Sequence, residues 1–225
     1  MSKKYKKTKE FWETIFAKVP GYNPLNQLDN NRIENAIQWI SESSKKVLEF
    51  GTGNGRVISR CLYYGVENIY GIDISTKGIE IANSIMKENN LTESAKFNSG
   101  SVKSLKKYKN NEFDGIILFN IIDNLYPSDV EFILKESYRI LNKSGKVLIK
   151  LNQYLDKIFF EKNDKYTEIS NDFYEESSGI YFWNISNEKL RELINPYFKI
   201  SKNEDVVFEN KNIKNRLFFL IKNNK

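Results

Sequence analysis

Apolar residues change their spacing near Lys46. Before that point they recur at helical intervals, which predicts helices over 8–18 and 29–42. In the second, Ile33, Ala36, Ile37 and Ile40 share one face behind the capping candidates Asp29 and Asn30. The Pro- and Gly-containing stretch 19–24 between them reads as a loop. From Lys46 onward, short apolar runs alternate with helical patterns. Strands are predicted over 47–50, 68–73, 95–98, 113–120 and 146–151, helices over 54–64, 75–90 and 128–141, and a turn over 142–145. The run 113–120 is apolar without break from Gly115 to Phe119, as a strand covered on both faces should be. This order predicts a parallel sheet with helices on both sides.

The tail departs from the alternation. A helix over 187–197 precedes strands over 199–209 and 213–221, joined by the polar turn Asn210, Lys211 and Asn212. So short a turn joins antiparallel neighbours. The expected fold is α/β: a mostly parallel seven-stranded sheet ending in an antiparallel hairpin. Residues 152–186 fit neither pattern. They are rich in aromatics and carboxylates and read as an insertion at the substrate side.

Composition removes several function classes. Of the 225 residues 40% are apolar and 14% aromatic, enough for a sizeable core rather than a disordered chain. No apolar run approaches the roughly 18 residues of a membrane span, so no membrane partner is expected. Phe11 and Trp12 give the N-terminus a mixed amphipathic character unlike a signal peptide. Histidine is absent, which excludes His bases, Ser/His triads and His-ligated zinc. Cys61 is the single cysteine, so no internal disulfide can form and a cytoplasmic location is expected. The net charge of +6 is concentrated at the start, where Lys3, Lys4, Lys6, Lys7 and Lys9 face Glu10. A solvated lysine tail is the first reading of that segment. An arm that steers a polyanion is the second.

The chemistry sits at 47–56, Val-Leu-Glu-Phe-Gly-Thr-Gly-Asn-Gly-Arg. Gly51, Gly53 and Gly55 allow a tight strand-to-helix turn and close approach of a ligand to backbone. The following helix presents free N–H groups and a positive dipole end. The third glycine comes one residue too early for a dinucleotide turn, and Glu49 would repel a pyrophosphate. A ligand carrying sulfonium and ammonium groups suits that carboxylate. Here the chain resembles the class I S-adenosylmethionine-dependent methyltransferases, whose first motif is E/D-x-G-x-G-x-G. The resemblance extends over about 46–151.

The resemblance implies S-adenosylmethionine as cofactor and a set of site residues. Glu49, Gly51, Thr52, Gly53 and Gly55 form the first motif. Asp73, with Ile74 after it, ends the second strand where the family's ribose-binding acid stands. Asp73 would serve equally as a helix cap, although Ser75 can take that role. Ser101 stands where the family often has an adenine-binding acid, so Ser101 and Val102 are expected to frame the adenine through backbone, or to be plain loop. Asn120 and Ile121 stand at the carboxyl end of the fourth strand and are expected beside the transferable methyl group. The implied division is an N-terminal helical cap over 1–45 and a catalytic domain over 46–225, with 152–186 as its insertion.

Methyl transfer from a sulfonium asks the protein mainly to align two reactants and exclude water. No catalytic residue is identified. Asp123, Tyr126 and Lys150 are candidates by position, with a solvated loop acid as the plainer reading of Asp123 and packing that of Tyr126. Lys150 matches one member of the Lys-Asp-Lys-Glu tetrad of ribose 2′-O methyltransferases, but Asn120 replaces the Asp, and the last strand begins with Asn215 and Arg216 where the Glu would fall. The amino-adenine motif is missing after strand four, and Cys61 is misplaced for a cytosine C5 nucleophile and reads as a buried apolar residue. Tyr5, Phe11, Trp12, Phe16 and Tyr22, with the aromatics of 152–186, are lid candidates. The acidity of 152–186 disfavours a phosphate-rich acceptor. A small-molecule acceptor is expected first, and RNA or protein reached through the basic N-terminus is the alternative. A nucleotide-dependent oxidoreductase and a non-catalytic cofactor binder are the competing classes.

Overall fold

The computed structural model describes residues 3–208 and 213–223. The chain first forms β1 (Lys46–Phe50), β2 (Asn68–Asp73), β3 (Ala95–Ser99), β4 (Phe113–Phe119) and β5 (Leu141–Leu151). Three short strands follow, β6 (Tyr166–Ser170), β7 (Phe173–Glu176) and β8 (Tyr181–Trp183), and then β9 (Phe198–Phe208) and β10 (Ile213–Lys222). The helices are α1 (Lys6–Phe16), α2 (Asn31–Ser41), α3 (Arg56–Tyr63), α4 (Thr76–Glu88), α5 (Pro127–Ile140), α6 (Lys157–Glu161) and α7 (Asn187–Ile194). No helix among the described residues is long and apolar enough to cross a membrane.

Seven strands lie in the order β3-β2-β1-β4-β5-β10-β9, with β10 antiparallel to both its neighbours. This is the expected mostly parallel sheet with an antiparallel C-terminal pair. The predicted turn at 210–212 lies outside the described residues. Strand order reverses between β1 and β4, and ligands of open α/β sheets bind beyond the strand ends at such a point.

Alternation along the strands splits the core into two layers. Leu48, Ile116, Val147 and Phe218 face α5 and α7. Val47, Ile117, Leu148 and Leu217 face α2, α3 and α4. Helix α2 belongs to this second layer, where Ile37 and Ile40 are fully buried. Of the expected cap over 1–45, α1 alone therefore stands over the strand ends.

Three local expectations change. The turn predicted at 142–145 is absorbed into β5, whose pairing jumps from Phe113–Leu141 to Gly115–Lys146. Four residues loop out there, and Asn142 Oδ1 accepts the Ser144 amide at 3.1 Å. The insertion contains α6 and a separate antiparallel sheet, β6-β7-β8, whose strands are too short and too exposed for a clear period-two pattern. The lysine-rich start is not a solvated tail. Tyr5 is buried and donates to Asp129 Oδ2 at 2.6 Å, Lys4 Nζ reaches the same oxygen at 2.9 Å, and α1 begins at Lys6.

Candidate active site

The turn after β1 is pinned to the end of β2. Gly51 and Thr52 donate their amides to the Ile72 carbonyl at 2.7 and 3.1 Å, and Gly53 donates its amide to Asp73 Oδ2 at 2.8 Å. Gly53 has φ +54°, and a methyl group built on it would lie 2.6 Å from Phe16 Cζ. Backbone conformation and the close pass of α1 both require glycine there. Gly55 also holds a left-handed φ of +80°, and its α-carbon packs towards Phe97 and Ala82, where a methyl group would sit 3.1 and 3.2 Å away. Its glycine serves helix-to-sheet packing.

Beyond the turn lies a cavity of about 160 Å³. Gly51, Gly53, Asp73, Ile74, Ser101, Val102 and Asn120 line it, seven of the ten residues expected from sequence. Glu49, Thr52 and Gly55 stand outside its lining. The sequence had marked Ile121, which also lines it, but not Phe50, Gly100, Phe119, Asn124 or Leu125. The side chains from the N-terminus are Tyr5, Thr8, Trp12 and Phe16, a face with helical spacing that could have singled them out among the aromatics flagged there. Phe11 and Tyr22 are not on it.

Asp73 is buried, and each carboxylate oxygen accepts one amide at 2.8 Å, Gly53 on Oδ2 and Ser75 on Oδ1. An ionised carboxylate has about four acceptor sites, so each oxygen keeps one free. Burial lifts its pKa above the usual carboxylate value, and the amides of Ser75, Gly53 and Ile74 oppose that shift. Capping of α4 falls to Ser75, whose Oγ accepts the Gly78 amide at 3.0 Å. Asp73 is thus released from the helix-cap role. Ser101 is exposed at the rim, where its amide donates to Ser104 Oγ at 3.2 Å.

Glu49 lies beneath the turn, 2% exposed, and accepts the Thr52 hydroxyl at 2.9 Å. Burial pushes its carboxyl up to about 8, against the pull of Thr52 and Lys150 and with a push from Asp73. A cation arriving in the neighbouring cavity would favour its ionised form.

Helix α1 forms the roof. Glu13 accepts the amides of Thr76 and Lys77, both at 2.8 Å, and the Ser75 hydroxyl at 3.0 Å, so it caps α4 from outside. At the other end Thr8 Oγ1 donates to the Gly179 carbonyl at 2.7 Å and Tyr181 donates to the Lys4 carbonyl at 3.0 Å. The roof therefore rests on α4 on one side and on the small sheet on the other. Trp12 and Phe16 stack with ring centres 5.7 Å apart.

A second, more open cleft of about 580 Å³ adjoins the cavity, and Trp12, Asn120 and Asn124 line both. Asn152, Gln153 and Asn215 add further amides, and Phe159, Tyr166 and Phe182 come from the insertion. Residues of 152–186 thus form much of the wall of this cleft.

Asn120 follows β4 with φ +54°, a left-handed conformation that asparagine tolerates better than most residues. Its amide is fixed by Lys150 Nζ, which donates to Oδ1, and by Asn152 Oδ1, which accepts from Nδ2 at 2.8 Å. Lys150 is 8% exposed and lines neither space. Burial depresses its ammonium to about 8, against the opposing pull of Asp123 and Glu49. Asp123 is buried rather than solvated: its carboxylate accepts the Asn152 amide at 2.6 Å and its carbonyl accepts the Trp183 amide at 2.7 Å. Tyr126 packs edge-on against Tyr5, Phe173 and Tyr181, as its packing reading expects. Cys61 is fully buried.

Comparison with known proteins agrees with this arrangement. A family model described as a methyltransferase domain matches residues 48–149. The chain is 31% identical over 169 residues to a ubiquinone biosynthesis O-methyltransferase of Pelagibacter ubique, a match covering 70% of this chain and 66% of that protein. It is 28% identical over 207 residues to a tRNA N(3)-methylcytidine methyltransferase of Schizosaccharomyces pombe, covering 86% of this chain and 65% of that one. The chain thus spans somewhat less than two thirds of the length of these relatives. Among solved structures, the 1,6-didemethyltoxoflavin-N1-methyltransferase of Burkholderia thailandensis, solved with 1,6-didemethyltoxoflavin and S-adenosylhomocysteine bound, superposes with a TM-score of 0.66 at 15% identity. That similarity covers 87% of this chain and 80% of the other and concerns the fold.

Proposed function

We propose that this chain, which belongs to the class I S-adenosylmethionine-dependent methyltransferases, binds S-adenosylmethionine in the cavity at the switch point and methylates a small molecule held in the adjoining cleft. The observation that carries this reading is Asp73, a buried carboxylate facing the cavity with two acceptor sites free and its helix-capping role taken by Ser75. Two ribose hydroxyls are suitable donors for those sites. The residues also suit the rest of the cofactor: an apolar wall at Ile74 and Val102 for the adenine, and the buried Glu49 carboxyl for the cationic amino-acid end.

S-adenosylmethionine, when bound, supplies an activated methyl carbon whose bond to sulfur breaks with the electron pair staying on sulfur. The chain's own work is positioning. Asn120, locked by Lys150 and Asn152, shapes the passage between cavity and cleft. Trp12 and Phe16 close the roof and keep water out. The adjoining cleft would present an acceptor oxygen or nitrogen lone pair to that carbon, with the acceptor's proton passing to solvent.

The small-molecule reading draws support from charge. Residues 152–186, which border the cleft, hold seven carboxylates and three lysines. A phosphate backbone crossing that face would be repelled. A cytoplasmic setting suits the single, buried Cys61 and is part of this reading. Calorimetry with S-adenosylhomocysteine tests the cofactor assignment. Saturable binding lost in Asp73→Ala is expected, and folded wild-type protein showing no heat overturns it.

A further inference from the structure

Resting on the methyltransferase reading above, we infer that the outer cleft takes a flat, uncharged aromatic acceptor bearing hydroxyl or amino groups, and that Asn215 receives a hydrogen bond from it. The first observation is the wall. Phe159, Tyr166 and Phe182 come from three separate elements yet form one connected group, with ring centres 5.8 Å apart for the first pair and 6.3 Å for the second. Trp12 lines the same cleft from α1. Aromatic surfaces in this number favour a planar ring, which can stack or meet them edge-on.

The second observation is charge. Glu176 is the only ionisable acid or base among the described residues lining the cleft apart from the phenol of Tyr166; no lysine or arginine lines it. A carboxylate or phosphate on the acceptor would meet one negative group and no cation. The remaining polar groups are neutral amides.

The third observation separates those amides. Asn120 is used by Lys150 and Asn152. Asn152 is used by Asn120 through its side chain, by Asp123 through its amide, and by Arg216, which donates Nε and Nη2 to its carbonyl at 3.1 and 3.0 Å. Asn215 stands beside them at the start of β10, only 5% exposed, and its Oδ1 is buried with no hydrogen-bond partner. Buried oxygens of this kind are nearly always paired in folded proteins. An O–H or N–H donor on the acceptor ring completes the set, which makes Asn215 a specificity-determining residue. The methylated oxygen or nitrogen gains the bond to carbon as the sulfur–carbon bond breaks, and the proton it loses passes to water.

The test uses the full chain saturated with S-adenosylhomocysteine. Calorimetry compares catechol and 2-aminophenol with 3,4-dihydroxybenzoate and cyclohexanol. Methyl transfer from labelled S-adenosylmethionine is then followed with the same compounds and with total tRNA. Catechol or 2-aminophenol should bind at least about tenfold more tightly than the benzoate or the alcohol, and Asn215→Leu should weaken that binding by about tenfold or more. S-adenosylhomocysteine affinity checks the fold of the variant, and Asn215→Ser replaces Asn215→Leu if the latter fails to fold. Protein that binds S-adenosylhomocysteine but shows no preference for the neutral rings, or methylates only tRNA, overturns this inference and leaves the cofactor assignment standing. Binding of the rings that is unchanged in Asn215→Leu overturns the role of Asn215. Protein that binds no S-adenosylhomocysteine overturns the cofactor assignment and this inference together.

Discussion

Asp73 Oδ2 accepts the Gly53 amide at 2.8 Å, so the acid that ends β2 holds the glycine turn that ends β1. One carboxylate therefore shapes the cavity and faces it. Asp73→Ala removes both functions and is expected to lower S-adenosylhomocysteine affinity by about 100-fold, the loss of one or two charge-assisted hydrogen bonds. Asp73→Asn keeps one acceptor oxygen and should fall between wild type and Asp73→Ala. Calorimetry decides the point, and an unchanged dissociation constant for a folded Asp73→Ala protein refutes the ribose role.

Glu13 ties the roof helix to the start of α4. Burial pushes its carboxyl up, but the amides of Lys77 and Thr76, the Ser75 hydroxyl and Lys9 together hold it below its ordinary value. The folded state then binds fewer protons than the unfolded state just below that value. Its stabilisation is present at neutral pH and is lost as pH falls through the depressed pKa. Glu13→Gln should flatten the acid limb of thermal stability measured from pH 6 down to about 3. It should also speed cofactor release by about tenfold, because the roof opens more often. Stopped-flow tryptophan fluorescence reads that release through Trp12, and identical rates for wild type and variant would mean the roof is not a gate.

The parts of this fold written in local pattern were legible, and the parts written in register were not. The strand 68–73 has its predicted bounds because its apolar run stops at Asp73. The glycine turn announced itself through residue type, since few other sequences tolerate its positive φ angles. Glu49 shows the limit. Its spacing from Gly51 matches a cofactor motif, yet strand alternation around it places the carboxyl under the turn rather than in the cavity lining. The place of Asn215 beside Asn152 was invisible because β10 sets it by pairing Arg216 with Leu151, a contact 65 residues apart in the chain that no window of sequence encodes. The docked N-terminus was missed for a related reason: composition counts lysines, while Asp129, the distant partner of Lys4 and Tyr5, lies on α5.

Glu49 carries a pH signature. With its carboxyl raised to about 8, the native state binds more protons than the unfolded state between the ordinary value of 4.5 and 8. Its contribution to stability therefore falls as pH rises across that window. Lys150, depressed to about 8, acts in the next window upward and with the opposite slope. Glu49→Gln should gain thermal stability relative to wild type as pH is raised from 5 to 8, a difference read directly from paired melting curves. At pH 7 the free carboxyl is mostly protonated, so arrival of the cofactor ammonium should release up to about one proton. Calorimetry in buffers of different ionisation enthalpy measures that proton. Equal release by wild type and Glu49→Gln would assign it to another group.

Lys6 and Lys7 separate the small-molecule reading from the RNA alternative. Deleting residues 1–9 would confuse the two, because Tyr5 and Thr8 line the cavity and would be lost with the charge. Lys6 and Lys7 carry their charge outside the roof: their side chains are 78% and 72% exposed and their ammonium groups pair with the carboxylates of Glu10 and Glu175. Reversing both charges, in Lys6→Glu/Lys7→Glu, should change transfer to a small aromatic acceptor by less than about twofold, since exposed ion pairs contribute little. If the chain methylates RNA through a basic N-terminal arm, the same variant loses affinity for tRNA. The slope of log affinity against log salt concentration then falls by roughly 1.4–1.8, the counterions no longer released at two phosphates. Filter binding of tRNA at several salt concentrations, run beside the small-molecule assay, discriminates the two outcomes. A reduced salt slope together with lost tRNA methylation would move the acceptor from the cleft to the nucleic acid.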